Sequence, residues 1–196
     1  MTGEITGVLL AAGQGRRFGG NKLLHMIDDG QPMVLASARQ LQAAVPRAIV
    51  VVDNPDGEVA GLLRREGLEV VANPRAAEGM GTSIARGVAA SPGAQGWIIA
   101  LADMPFIPAT VIRQVAGGLV EGASIVAPVY RGQRGHPVGF AARHAEALMR
   151  LAGDEGARGI MRDHGDALVL IEVGVAGVVT DIDTPDCVES GLPRAR

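Results

Sequence analysis

Two kinds of group in this chain sit where chemistry is done: basic residues inside a glycine-rich loop, and aspartates that directly follow apolar runs. The loop spans residues 10–22 and reads LAAGQGRRFGGNK. Gly13, Gly15, Gly19 and Gly20 come straight after a strand-like run. Glycine lets backbone N–H groups approach an anion closely, and a nest of such groups binds phosphate. Arg16, Arg17 and Lys22 add positive charge. A guanidinium can fork onto phosphate oxygens, whereas an ammonium acts as a point charge. The spacing is not the dinucleotide fingerprint, because Gly13, Gly15 and Phe18 give GxGxxF without the third glycine. It is not a P-loop either, since Lys22 lacks a preceding Gly and a following Ser or Thr. Taken alone, the loop is also compatible with a glycine-rich turn carrying solvated basic residues.

Residues 97–105 read WIIALADMP. Packing does not explain a charge directly after a buried strand, and the carboxyl ends of strands are where open α/β folds bind ligands. Asp103 is therefore a candidate ligand for Mg²⁺, which takes oxygen donors and keeps waters and substrate phosphates around it. The alternative is an aspartate capping a turn or the next helix. A second acidic cluster, TDIDTPD at 180–186, again follows an apolar run. Asp181 and Asp183 alternate, so on an extended chain they share a face. Two distant carboxylates at strand ends can chelate one metal. Asp186 caps or begins a final helix.

Three further motifs carry polar groups. Residues 73–87 read NPRAAEGMGTSIARG, and Gly79, Gly81, Thr82 and Ser83 form a small-residue loop entering a helix. Its hydroxyls could bind a base, or Thr82 or Ser83 could serve as N-cap. Residues 134–138 read RGHPV, which sets His136 in a rigid, exposed turn, although a lone histidine is more often incidental than functional. In LAGDEGAR, residues 151–158, Asp154 or Glu155 lies near a helix start, where an acid is favoured in any case.

These residues need a scaffold, and the apolar pattern supplies one. Strands are expected at 5–10, 48–52, 68–72, 96–101, 124–129, 168–173 and 178–182. Helices are expected at 33–45 behind Pro32, at 57–66, 81–90, 108–120, 141–151 and 156–164, with a short last one after Pro185. Alternating strands and helices imply parallel pairing with helices on both faces. The expected fold is an α/β class, three-layer α/β/α sandwich around a Rossmann-like, mostly parallel mixed sheet. A hairpin-like stretch at 174–177 joining the two late strands is read as its antiparallel part. No linker or composition shift marks a boundary, so residues 1–196 are read as one domain.

Composition narrows the function classes. The chain is 47% hydrophobic, enough for a full core, and its 28 glycines follow no repeat. A net charge of −3 without a basic stripe argues against nucleic acid as a partner. One cysteine, Cys187, excludes an intrachain disulfide and a cysteine zinc site, which suits a reducing cytoplasm. No signal peptide and no membrane span are read, so a cytoplasmic enzyme acting on a small molecule is expected.

The glycine-rich loop resembles the signature of nucleotidyltransferases with a Rossmann-like sugar-nucleotide fold, matched here at Leu10, Ala11, Ala12, Gly13, Gly15, Arg16, Gly19 and Lys22. The resemblance implies that residues 11–13 lie near the base and sugar, that Arg16 and Lys22 hold the triphosphate, and that Arg17 is a solvated neighbour. It also implies a metal held by Asp103 and Asp183, with Asp181 as second choice. The order of the NP…G…TS loop, LADMP, RGHP, GDEGAR and DIDTP is similar to the molybdenum cofactor cytidylyltransferase family, over nearly the whole chain. That similarity implies a Mg²⁺-dependent transfer of CMP from CTP to the phosphate of a pterin. Catalytic groups would be Arg16, Lys22 and Asp103. The nucleotide would lie on Leu10, Ala11, Ala12, Gly13, Gly15, Gly79, Thr82 and Ser83, and the acceptor on Arg134 and His136. Maturation chaperones of molybdenum enzymes would be candidate partners. Related guanylyltransferases usually have glycine where this chain has Ala12, and they lack RGHP. Thr82-Ser83 replaces the usual double serine. Rival readings are GMP transfer to the same pterin, transfer to another phosphorylated acceptor, a nucleotide-binding regulator without turnover, and a flavin or nicotinamide oxidoreductase, which would need the dinucleotide fingerprint that is missing here.

Overall fold

The structure, a computed structural model, describes residues 4–13, 21–27 and 30–183. Within them the chain runs β1 (Ile5–Leu10), α1 (Met33–Gln42), β2 (Arg47–Val52), α2 (Glu58–Arg65), β3 (Glu69–Ala72), α3 (Met80–Ala89), β4 (Gly96–Leu101) and α4 (Ala109–Val120). It continues through β5 (Ile125–Tyr130), β6 (Gln133–Arg134), β7 (Val138–Ala141), α5 (Ala145–Met149), α6 (Arg158–Asp163) and β8 (Leu168–Glu172). The eight strands form one sheet in the order β3-β2-β1-β4-β7-β5-β6, with β8 added alongside β5. β1 to β4 pair in parallel, and so do β5 and β8. β7 runs antiparallel to both β4 and β5, and β6 antiparallel to β5.

Successive side chains of a strand face opposite sides of the sheet, and both sides are covered here. Leu9, Val50 and Ile98 pack with Val34, Leu63 and Val115 of α1, α2 and α4. Their strand neighbours Val8, Ile49 and Ile99 pack on the other side with Ile84, Leu148 and Ile160 of α3, α5 and α6. Burial on both faces is why these strands read as continuous apolar runs. The α/β/α sandwich and the mostly parallel mixed sheet are thus as expected. No helix among the described residues is long and apolar enough to cross a membrane.

Two elements depart from the sequence reading. The expected strand at 178–182 is instead a 3₁₀ turn, Ala176–Val179, followed by extended chain outside the sheet. Its backbone bonds loops and not a ladder: His136 N–H donates to the Val178 carbonyl, and Ile182 N–H donates to the Asp103 carbonyl. The antiparallel part of the sheet is also not a late hairpin. It comes from β6 and β7, where the sequence reading has a turn at 134–138 and a helix from 141. These strands take one edge of β5 while β8 takes the other, so β5 has no free edge for residues 178–182. The final helix expected after Pro185 lies outside the described residues.

Candidate active site

β1 and β4 lie side by side, with Leu10 opposite Leu101, so the chain leaves the sheet at the same place after each. Ala11 N–H donates to the Val51 carbonyl and Ala102 N–H to the Leu10 carbonyl. Ser37, buried in α1, donates to the Ala102 carbonyl at 2.9 Å. These bonds hold the backbone just before Asp103. The chain resumes after the glycine-rich loop at Asn21, whose side chain accepts from Leu23 N–H and starts a short 3₁₀ turn, Lys22–Leu24.

From that turn Lys22 reaches across the strand ends. Its Nζ donates to Asp103 Oδ2 at 3.1 Å and to Asp183 Oδ1 at 2.9 Å. Burial works against the ammonium charge, but Asp103 and Asp183 outweigh it and hold the pKa above the ordinary lysine value. Ile182 is almost wholly buried, 1% exposed, and anchors the late segment, so Asp181 and Asp183 on either side of it turn to the other face. Carboxylate oxygens of Asp103, Asp181 and Asp183 lie within 4.8 Å of one another. Asp181 keeps access to solvent, yet its carboxyl is raised above its usual pKa by partial burial and by repulsion from Asp183 and Asp103. A set of carboxylates that already gathers an ammonium fits a hard divalent cation.

A cleft lies on each side of this cluster. One, of about 270 Å³, is lined by Ala11, Gly13, Lys22, Asp53 and Asn54. The other, of about 420 Å³, has an apolar wall that includes Met80, Ile84, Phe140 and Met161, and a polar rim with Asp103, Arg134, His136, Arg158 and Asp181. The Lys22–Asp103 pair stands between the two.

Close backbone approaches shape the larger cleft. Gly79 has φ +114°, and a Cβ there would lie 2.2 Å from the Gly153 carbonyl carbon. Gly81 N–H donates to the Gly153 carbonyl at 2.9 Å. The GMGTS and GDEGAR motifs are therefore one packed unit. Within it, Asn73 Nδ2 donates to Thr82 Oγ1 at 2.9 Å and to Ser83 Oγ at 3.0 Å. Thr82 Oγ1 is also 2.8 Å from the Gly79 carbonyl. Both hydroxyls thus bond within the protein, and the N-cap position of α3 is Gly79 rather than either of them.

Gly135 is held in the same way, since a Cβ would stand 2.1 Å from the Val178 carbonyl oxygen. That contact turns His136 inward, against the expectation of an exposed turn. Its Nδ1 is buried without a hydrogen-bond partner among the described residues. Burial, opposed by the nearby Asp103 charge, lowers its pKa to about 4, so the ring is neutral at pH 7. Because the folded form resists protonation, the unfolded chain takes up the proton first as pH falls. The resulting stability is complete above about pH 6.5 and is lost as pH drops toward 4. Its size is about 3 kcal/mol at most, at 1.36 kcal/mol per pKa unit. Buried His144, whose pKa is also lowered by burial, adds in the same direction. Urea unfolding at pH 7.5 and 4.5 should therefore show a smaller loss for His136→Gln than for wild type. Equal losses would show that His136 does not contribute.

Residues 7–168 match the family described as the MobA-like NTP transferase domain. The chain belongs to this family. The family assignment makes the protein a nucleotidyltransferase, of a class that works with a divalent metal. A molybdenum cofactor guanylyltransferase of Cereibacter sphaeroides is 31% identical over 138 residues, 68% of this chain and 66% of that protein. The nicotine blue oxidoreductase of Paenarthrobacter nicotinovorans is 29% identical over 190 residues, 92% of each chain. Among solved structures, Rv0371c of Mycobacterium tuberculosis is 26% identical, with a TM-score of 0.79 over 97% of both chains.

Several expected site residues of this MobA-like chain meet in the structure. Lys22, Asp103 and Asp183 bond directly. Arg134 and His136 share the larger cleft with Asp103, and Ala11 and Gly13 share the smaller one with Lys22. Gly15 and Arg16 lie outside the described residues, as does Arg17. Counted residue by residue, the resembled signature, LAAGxGxRxGxxK, sets its arginine on Arg17 and not on Arg16. Asp53 was missed, although the rule that singled out Asp103 finds it: a charge directly after the buried strand β2. Arg158, at the start of α6 on the rim of the larger cleft, carries no such signal.

Proposed function

We propose that the protein transfers CMP from CTP to the phosphate of a molybdopterin-type cofactor and releases pyrophosphate. The observation that carries this reading is the Lys22–Asp103–Asp183 cluster standing between two clefts. The smaller cleft adjoins the start of the glycine-rich loop and suits the nucleotide, held by Leu10, Ala11, Ala12, Gly13, Gly15, Lys22, Asp103 and the Arg16–Arg17 pair. Gly79, Thr82 and Ser83, expected at the nucleotide, shape the loop beside the larger cleft instead. The larger cleft, with an apolar wall and the basic groups Arg134 and Arg158 on its rim, suits a ring system bearing a phosphate. His136, being neutral, would offer that acceptor a hydrogen bond and not a charge.

An acceptor phosphate oxygen attacks the α-phosphorus in line. The new P–O bond forms as the bond to the β-phosphate oxygen breaks, and pyrophosphate departs. No general base is needed, because the attacking phosphate is already anionic. Asp103 and Asp183, with Asp181 beside them, would hold Mg²⁺, which when bound would supply charge neutralisation to the phosphate oxygens. Lys22 and the loop arginine position the triphosphate and stabilise charge in the transition state. The guanylyltransferase relative supports a molybdenum cofactor acceptor and keeps GMP transfer as the rival reading.

CTP should be preferred over GTP, because the Ala12 side chain leaves less room for a base than glycine does. One set of contacts of this kind is worth roughly 10–200-fold in kcat/KM. Thermal shifts with CTP, GTP, ATP and UTP in Mg²⁺, followed by pyrophosphate release with and without acceptor, test the reading. Equal or reversed kcat/KM for CTP and GTP overturns the cytidylyl assignment. Nucleotide binding with no acceptor-dependent pyrophosphate would mean a regulator and not an enzyme.

A further inference from the structure

Lys22 holds the place a divalent cation would need. Its Nζ lies 3.1 Å from an oxygen of Asp103 and 2.9 Å from one of Asp183, and both belong to the carboxylate group that could gather a metal. An ammonium and a metal ion cannot both take the facing lone pairs of these two carboxylates at such distances. Loading the site through those oxygens therefore requires Lys22 to leave them.

The residue suits such an exchange. Lys22 is the only lysine among the 18 Lys and Arg residues of the chain. Every other basic side chain apart from histidine is arginine, whose planar fork would hold carboxylates through paired bonds and release them less readily than a compact ammonium on a flexible stem. The two partners also differ in exposure: Asp103 is 31% exposed and Asp183 61%. A hydrated ion can thus approach from the Asp183 side.

We propose that Lys22 is a tethered resident cation, which fills the carboxylate site before substrate arrives, is displaced by the divalent ion, and then turns to the triphosphate. The last step rests on the nucleotidyl-transfer reading, while the displacement does not. Without nucleotide, metal binding must drive Lys22 from two anionic partners into water, so it is weak. With nucleotide, Lys22 passes from one anion to another, and metal and nucleotide each strengthen the other's binding.

The test uses the full chain without nucleotide. Mn²⁺ binding is followed by electron paramagnetic resonance for wild type, Lys22→Met and Lys22→Arg. Lys22→Met should bind Mn²⁺ about tenfold more tightly than wild type, within the range usual for coupled sites, and Lys22→Arg no more tightly. In parallel, acylation of the Lys22 amine is read by peptide mass spectrometry in wild type. It should speed up as Mn²⁺ saturates and slow again when CTP is added. The acylation arm also decides the matter should Lys22→Met fail to fold. Equal or weaker Mn²⁺ binding by Lys22→Met overturns the inference, as does no Mn²⁺ binding by either protein, or a Lys22 that stays protected at saturating Mn²⁺. The last result counts against this inference alone. Release of Lys22 by Mn²⁺ in a protein with no nucleotide turnover would count against the proposed function and leave the displacement standing.

Discussion

Asp103→Asn and Asp183→Asn should each remove most turnover, by roughly 10²–10³-fold, and the double variant should lose little more. Both carboxylates accept from the same Lys22 ammonium, although they are distant in sequence. Asn keeps the shape and one acceptor oxygen while removing the charge, so the exchange tests electrostatics and not packing. Two charges that act on one cation form a unit, and losses within a unit do not multiply. The variants should fold, because Asp103 and Asp183 retain solvent access. The defect should appear as a raised Mg²⁺ requirement with nucleotide bound. Steady-state kinetics over a range of Mg²⁺ provide the check. Factors that multiply in the double variant would end the shared-metal idea. Asp183 would then serve only as a partner of Lys22 or a turn residue.

Lys22→Ala should lower kcat/KM by roughly 10²–10³-fold with the fold retained. Its side chain is only 10% exposed, but what it leaves behind is a pair of carboxylates that water can reach. A partly solvated pair contributes modestly to stability, so the melting temperature should move far less than the rate. Arg17→Ala should act in the same direction as the residue aligned with the signature, and Arg16→Ala should cost less. Wild-type activity in both Lys22→Ala and Arg17→Ala would show that the loop does not hold the triphosphate. A larger loss in Arg16→Ala than in Arg17→Ala would return the role to Arg16.

Much of this arrangement is legible from local pattern. β4 occupies the same residues, 96–101, that its apolar run marks out, because a strand buried on both faces writes a continuous apolar stretch. Asp103 stands out by the same logic, as a charge with no packing reason to follow such a run. Residues 181–183 alternate, and the structure keeps Asp181 and Asp183 on the face opposite buried Ile182. The stretch at 138–141 was harder. Four residues, one of them glycine, fit a turn or a helix start as well as a strand, and β7 lies between β4 and β5, pairing with both.

By itself the sequence determined the α/β class, the residue types at the strand ends and the cationic loop beside them. Those features follow from side-chain periodicity and backbone chemistry, which act over a few residues. Only the tertiary structure decided the partners. It joined Lys22 to Asp103 and Asp183 across separations of 81 and 161 residues, and it turned the Nδ1 of His136 inward beside the chain at Val178. It also kept residues 178–182 out of the sheet. An apolar run states that a segment will be buried, but whether its backbone joins a ladder depends on a free strand edge elsewhere, and β5 had none to offer.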